Sequence, residues 1–429
     1  MLTDWLDSNC AYGSSVFIPQ SFEQLQQFLR TNHAKISIAG SQCSSGGQTL
    51  VNNGVILSLK YLNAIKVLNL DTDEVEIEAG STWDRLIEEL IKYERTVLHM
   101  QSYGKFSLGG TIGVNGHGRT GYRMSDSIVW IDVLLSNGDL VRCNPTSDLF
   151  QAVVGGYGLI GIVYKVCLKI QQNVPIICHV SMSSGRLDEE IQQESQGSLL
   201  YNCDITQTGQ IFHNVWRKCL TGESAECTQS SSYTRRLFSR ISENVAIFLP
   251  LIHMVYQQYV PIFARNQIRM LSYEMSYPLE DRVALMKKPL FQSMLQEYFI
   301  PRKYIQNFID EIRVFQTKYD ISILNQSIRK CYSSLRTYLN WIPDDCVSIV
   351  LYMTVFDFPN NQAYRRFTSV LIDTSLKYGG TWYCPYFPCF TRKQLLQGYP
   401  YFTDFLKVKQ KYDPLGKFSS NFWQYINEI

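Results

Sequence analysis

Three glycine-rich stretches, separated by strand-like and helix-like runs, constrain this chain of 429 residues more than any other feature. The first, Gly40-Ser41-Gln42-Cys43-Ser44-Ser45-Gly46-Gly47-Gln48, follows the β-rich run Lys35–Ala39. The second runs from Ser107 through Gly109, Gly110, Gly113, Gly116 and Gly118 to Arg119. The third, Gly155-Gly156-Tyr157-Gly158-Leu159-Ile160-Gly161-Ile162, leads into an alternating strand pattern. Where the backbone lacks Cβ atoms it turns tightly, and successive N–H groups form an anion-binding concavity. Small residues at so many successive positions also let a large flat or charged ligand lie against the main chain. Taken alone, the first stretch reads equally as a plain loop, and it fits neither G-x-x-x-x-G-K-[ST] nor G-x-G-x-x-G. Three such stretches between alternating strands and helices ask for more than a loop.

Ser21 to Arg30 places Phe22, Leu25, Phe28 and Leu29 at helical spacing with Ser21 as N-cap, and Thr82 to Tyr93 repeats the pattern. Glu74–Glu78 alternates strictly, and Ile128–Leu135 and Leu140–Cys143 flank an Asn-Gly turn, which predicts a hairpin. After Val174 glycine becomes scarce, and helical runs such as Ile305–Tyr319 alternate with strand runs such as Val347–Phe358. A chain of this length exceeds one core, so the expected division is 1–174, an inserted 175–394, and a return at 395–429.

Composition narrows the function. A net charge of +2 without a Lys/Arg run argues against nucleic acid as a partner. Twelve cysteines at irregular spacing, with no paired C-x-x-C, argue against a metal site and a disulfide scaffold. MLTDWLDSNCAYGSSV has early acids and no apolar core of a secretory signal, so the expected location is cytoplasmic. Val245–Ile262 is apolar but broken by Pro250, His253, Gln257, Gln258 and Pro261, and arginines flank it. It reads either as a buried helix of the inserted domain or as a peripheral membrane contact.

The glycine stretches together resemble the FAD-binding oxidases of the vanillyl-alcohol oxidase type. Gly40–Ser44 resembles the loop that cradles the pyrophosphate, Ser107–Arg119 the S/T-x-G-G segment running on to H-G, and Gly155–Ile162 the G-G-x-G-L-x-G segment. Lys411-Tyr412-Asp413-Pro414-Leu415, Gln296–Pro301 and Leu324–Arg329 are similar to the branch containing decaprenylphosphoryl-ribose, aldonolactone and alditol oxidases. The resemblance implies an α+β fold: a two-part FAD-binding domain with an inserted α+β substrate (cap) domain. It implies FAD contacts from Gly40, Ser41, Gln42, Cys43, Ser44, Ser102, Ser107, Gly109, Gly110, Asn115, His117, Gly118, Gly161 and Ile162.

Two departures matter. Cys43 stands where many members attach FAD through histidine, so the expected FAD is noncovalent. Gly379–Pro385 lacks the H-W-x-K stretch of the sugar-lactone enzymes, which tilts the expectation towards a lipid-linked sugar. The implied reaction is oxidation of an alcohol carbon, with the ring as hydride acceptor and the protein supplying orientation and a proton acceptor. Lys411 is the first candidate, by its place beside Asp413-Pro414, although Lys407, Lys409 and Lys411 also read as a solvated cluster. Glu297, on an alternating run, is the second candidate acceptor. Arg119 is expected to stabilise charge at the ring, His117 to pack against FAD, and Asn325 and Arg329 to bind substrate hydroxyls or phosphate. No motif names the electron acceptor. A catalytically degenerate FAD-binding module and a nicotinamide-dependent double-bond reductase of the same fold stand as the rival readings.

Overall fold

The computed structural model describes residues 2–4, 9–183, 185–206, 208–219, 268–276, 287–288, 291–332, 337–341, 345–356, 358 and 360–429. The segment Val245–Ile262 therefore lies outside the described residues. Among the described residues no helix is long and apolar enough to cross a membrane. The fold mixes helices and sheets, as expected.

Among the described residues the N-terminal part holds a two-stranded pair, Leu2–Thr3 with Cys10–Ala11, and two larger sheets. Strands Ser15–Phe17 and Ile36–Ala39 flank Val55–Ser58 in a parallel sheet. The second sheet is antiparallel, with strands in the order Leu140–Cys143, Ile128–Leu134, Ile162–Gln172, Glu74–Glu78 and Ile65–Asn69, and Arg95–Val97 on one end. Alternation in Glu74–Glu78 buries Val75 and Ile77 while Glu74 and Glu76 stay partly exposed. The Asn-Gly hairpin closes as expected, Leu134 opposite Leu140 with Gly138 at φ +88°. Helix Phe22–Thr31 is capped by the Ser21 hydroxyl and buries Leu25 and Leu29.

Among the described residues, strands from Pro175 to Trp382 build one nine-stranded antiparallel sheet. Its centre is the trio Phe291–Pro301, Cys346–Val355 and Ser322–Cys331. Helices Ile305–Tyr319 and Gln362–Lys377 pack on one another and on strand Phe291–Pro301. Their apolar stripes, including Phe308, Ile312, Phe367 and Leu371, are fully buried.

After helix Phe402–Tyr412 the chain comes back to the first sheet. Ile36 N–H donates to Lys417 O and Ser419 N–H donates to Ile36 O, both at 2.8 Å, so the tail extends the edge beside Ile36–Ala39. Lys409 locks this return: its Nζ donates to Leu159 O, Asp413 Oδ2 and Phe418 O at 2.7–3.0 Å.

Candidate active site

A cavity of about 730 Å³ runs between the glycine-rich N-terminal wall and the nine-stranded sheet. That is within the range of small-molecule and cofactor sites. Strand Ile36–Ala39 ends in Gly40–Ser45, which lines one wall, and Gln42 takes φ +52° to make the turn. The short helix Leu108–Gly113 begins where Ser107 Oγ accepts from Gly110 N–H, and Ser107, Gly109, Gly110 and Gly113 line the same wall. A Cβ on Gly40 would come within 2.0 Å of Ser107 Oγ, so glycine there lets the two loops touch. A Cβ on Gly113 would meet nothing closer than 4.0 Å, because that position faces the cavity itself.

Three hydroxyls on this wall, Ser44 Oγ, Thr49 Oγ1 and Ser81 Oγ, are buried without a hydrogen-bond partner. Buried polar atoms are normally paired. A bare backbone cradle edged by unpaired hydroxyls suits a long ligand with phosphate and hydroxyl groups, which is what FAD presents.

At the inner end, Glu297 on strand Phe291–Pro301 meets His117 from the second glycine stretch. His117 Nε2 lies 2.7 Å from Glu297 Oε1, with both side chains 2% exposed. Burial works against a charge on His117, but the Glu297 carboxylate, helped by the Cys331 sulfur, outweighs it and raises the imidazole pKa to about 9. Burial likewise works against Glu297 ionisation, but His117 keeps the carboxyl below its ordinary range. The pair is thus an ion pair at neutral pH. Tyr386 donates to the second carboxylate oxygen at a long 3.4 Å. Phe299, Trp341 and Tyr383 surround the imidazole, with ring centroids 4.9–5.9 Å away.

Of the expected FAD contacts, Gly40, Ser41, Gln42, Cys43, Ser44, Ser102, Ser107, Gly109, Gly110, His117 and Gly161 line the cavity. Glu297 and Arg329 line it too. Asn115, Gly118 and Ile162 do not. Asn115 Oδ1 accepts from Ser125 N–H, bracing the turn behind the wall. A Cβ on Gly118 would strike Met100 O at 2.0 Å, so that glycine serves chain-to-chain contact rather than a ligand. Ile162 is core. Gly161 lines the cavity, yet its Cβ would point at Val133 Cγ1, 2.7 Å away, rather than into the ligand's path.

Three catalytic or substrate expectations are corrected. Lys411 is exposed at the end of its helix with its amine beside the Tyr412 ring, away from the cavity, because helical geometry turns Lys409 inward instead. Arg119 is buried against the cap: its Nη1 donates to Glu274 Oε1 at 3.0 Å, its Nη2 to Glu274 O, and it stacks on Trp216 at 4.6 Å. With its charge neutralised by Glu274 and its side chain off the cavity wall, it is not a group at the ring. Asn325 is buried beside Thr206 and Tyr352 on the cap sheet, outside the cavity lining. His117, expected only to pack, proves to be the partner of Glu297. Tyr383 and Tyr386 went unremarked in the sequence; the aromatic run Trp382–Tyr386 was the available signal.

Comparison with known proteins supplies the cofactor. The FAD binding domain family matches residues 14–144, which span the first two glycine stretches. Residues 14–144 thus carry an FAD-binding domain, and FAD is the cofactor. This FAD-binding chain is 22% identical to decaprenylphosphoryl-beta-D-ribose oxidase of Mycolicibacterium smegmatis, over 89% of its own length and 85% of that protein. An uncharacterized oxidoreductase of the fasciation locus of Rhodococcoides fascians is 26% identical, over 38% of this chain and 39% of its own. Cytokinin dehydrogenase 9 of Oryza sativa subsp. japonica is 28% identical over 34% of the chain and 29% of its own. The matched region thus spans well under half the length of two of these three relatives.

Proposed function

We propose that this flavoprotein oxidises an alcohol carbon of a sugar-like substrate, small or lipid-linked, with Glu297 as the acceptor of the hydroxyl proton. The observation that carries the reading is the single cavity joining the glycine cradle to the buried Glu297–His117 pair. Bound FAD supplies the hydride acceptor. Gly40–Ser45 and Ser107–Gly113 would hold it, with Ser44, Thr49 and Ser81 as the hydroxyl partners. Glu297 Oε1 is fixed by His117, while Oε2 keeps a lone pair beyond its long contact with Tyr386, open to a substrate hydroxyl. The imidazolium keeps the carboxylate ionised and aimed before the proton arrives. Phe299, Trp341 and Tyr383 shut water from behind the pair. The name of the mycobacterial relative, decaprenylphosphoryl-beta-D-ribose oxidase, supports a sugar, and a lipid-linked one.

The test is anaerobic mixing of purified yellow protein with polyols, lactols and lipid-linked pentoses, watching the visible flavin band. Bleaching by a sugar, slowed in Glu297→Gln, is expected. Bleaching by NADPH alone, with every sugar inert, would replace this reading with the reductase.

A further inference from the structure

Two cysteines face each other at the ends of neighbouring cap strands. Cys331 closes strand Ser322–Cys331, Cys346 opens strand Cys346–Val355, and the register sets them directly opposite. Among the described residues no other two cysteines share a ladder position. Both thiols are free, and the residues are 4% and 3% exposed. Opposed residues of antiparallel strands hold their Cα atoms about 4.5–5.5 Å apart, inside the span of about 4.4–6.8 Å that a disulfide accepts.

The alternation of the sheet puts this pair beside the His117 ring. Directly opposed residues project to one side, as do residues two apart along a strand. Glu297 lies opposite Val350 and Val350 opposite Ser327. Cys331 follows Ser327 by two such steps, so it shares the face that carries Glu297. There its sulfur meets the His117 imidazole, whose Nε2 is held by Glu297 and whose Nδ1 has no nitrogen or oxygen partner. The stretch between the two cysteines supplies Trp341, which packs on the same ring at 4.9 Å.

The two sulfurs differ in character. Burial pushes the thiols of Cys143, Cys167, Cys178, Cys384 and Cys389 up to about 12. Burial opposes a thiolate at Cys331 too, but hydrogen bonds from Cys346 and His117 and the imidazolium charge outweigh it and lower this thiol to about 6. Cys346 goes the other way, held well above its ordinary value by burial and by the Cys331 sulfur. A thiolate is the nucleophile towards oxidants, and a thiol at its side resolves the product. The other ionisable groups around the pair are Glu297 across the imidazole, Arg123, which attracts both sulfurs, Asp345, which opposes charge on Cys346, and Tyr383 at the ring edge.

We propose that Cys331 and Cys346 are a peroxide-sensitive dithiol, which closes to a disulfide and takes from His117 the sulfur that helps to hold its charge. The Cys331 thiolate attacks one oxygen of hydrogen peroxide, the O–O bond breaks, and hydroxide leaves and takes up a proton as water. Cys346 then attacks the sulfenic sulfur. The S–S bond forms, the S–O bond breaks, and the departing hydroxide leaves with the Cys346 proton as a second water. The two sulfurs give up two electrons and one peroxide becomes two waters. Disulfide formation stands apart from the oxidoreductase reading; only its bearing on a substrate at Glu297 rests on that reading.

Reduced FAD-loaded protein is exposed to hydrogen peroxide, its remaining thiols are capped with iodoacetamide in urea, and a non-reducing digest is read by mass spectrometry. The peptides carrying Cys331 and Cys346 should be recovered joined, and dithiothreitol should part them. Cys346→Ser should stop at a Cys331 sulfenic acid, trapped by a cyclic 1,3-diketone, and Cys331→Ser should leave Cys346 capped as a thiol. Cys331 and Cys346 both capped in the treated wild type, or joined to other cysteines, overturns the proposal, and that arm decides even where a variant fails to fold. The link to His117 is read from the titration of nitrogen-15-labelled histidines. One imidazole should titrate near 9 in the reduced protein and at lower pH in the disulfide form. A midpoint that the disulfide leaves in place overturns the link. A disulfide that forms in protein whose flavin no sugar reduces leaves the dithiol standing and the oxidoreductase reading refuted.

Discussion

Glu297→Gln keeps the shape of the site and removes only its charge, and the consequence depends on pH. His117 is held at about 9 against an ordinary 6.5, a difference worth about 3 kcal/mol at about 1.4 kcal/mol per unit. Because the folded value is raised, this stabilisation is complete below 6.5 and is lost as pH climbs through about 9. At pH 7 about 2 to 3 kcal/mol remains, and at pH 10 almost nothing. Glutamine removes the larger support of the imidazolium and leaves the smaller one, the Cys331 sulfur, so the variant forfeits most of that contribution. Urea unfolding of the FAD-loaded wild type and variant, followed by tryptophan fluorescence, should show a gap of this size at pH 7 that closes by pH 10. In the same variant at pH 7, single-turnover flavin reduction should slow by about 10²- to 10⁴-fold, the usual worth of a positioned base. A stability gap of equal size at both pH values would refute the ion pair. Unchanged flavin reduction would remove Glu297 from the chemistry.

Lys409→Ala should destabilise the protein by about 3–5 kcal/mol in thermal or urea unfolding, since it strands Asp413 in the interior, whereas Lys411→Ala should alter neither stability nor flavin reduction. Gly110→Val should yield colourless protein, because its side chain would enter the cavity beside Ser107. Gly161→Ala should retain flavin but lower the melting temperature through its contact with Val133. Acid precipitation of the wild type should release free FAD into the supernatant, since Cys43 replaces the attachment histidine; flavin remaining with the pellet would show a covalent link.

The parts that were legible in the sequence are those written in neighbouring residues. Gly40–Ser44 follows directly on strand Ile36–Ala39, and the three glycine stretches together carried the resemblance that assigned Gly40–Ser44 and Ser107–Gly110 to the cofactor; both line the cavity. Glu297 was legible because alternation along Leu295, Glu297 and Phe299 puts them on one face of a strand. What escaped depends on partners far along the chain. His117 meets Glu297 across 180 residues, and Arg119 meets Glu274 across 155, so neither its engagement nor its orientation has a local signature. The lysine cluster failed for another reason. Lys409 and Lys411 sit two apart on a helix, about 200° around its axis, so one must face inward when the other faces out. Sequence spacing shows that opposition without showing which of the two is inside. The resemblance assigns Gly118 and Gly161 to the ligand; the neighbours a Cβ there would strike are Met100 and Val133, a contact across the chain that no local pattern shows.

The closure of the first sheet by the tail has a consequence for biosynthesis. Lys35 reaches Gly416 across 381 residues, and Ile36 takes both of its tail partners from residues just beyond it. At a synthesis rate of about 5–20 residues per second, the ribosome needs roughly 20–75 s between making the strand and making its neighbour. Throughout that interval the edge of Ile36–Ala39 lacks its tail partner, beside the glycine-rich loop that lines the cavity. The parallel sheet stays without that partner while residues 175–382 are being made. Nascent chains stalled before Lys409 should therefore expose an unprotected strand edge, a template for aggregation that a chaperone must cover until the last helix arrives.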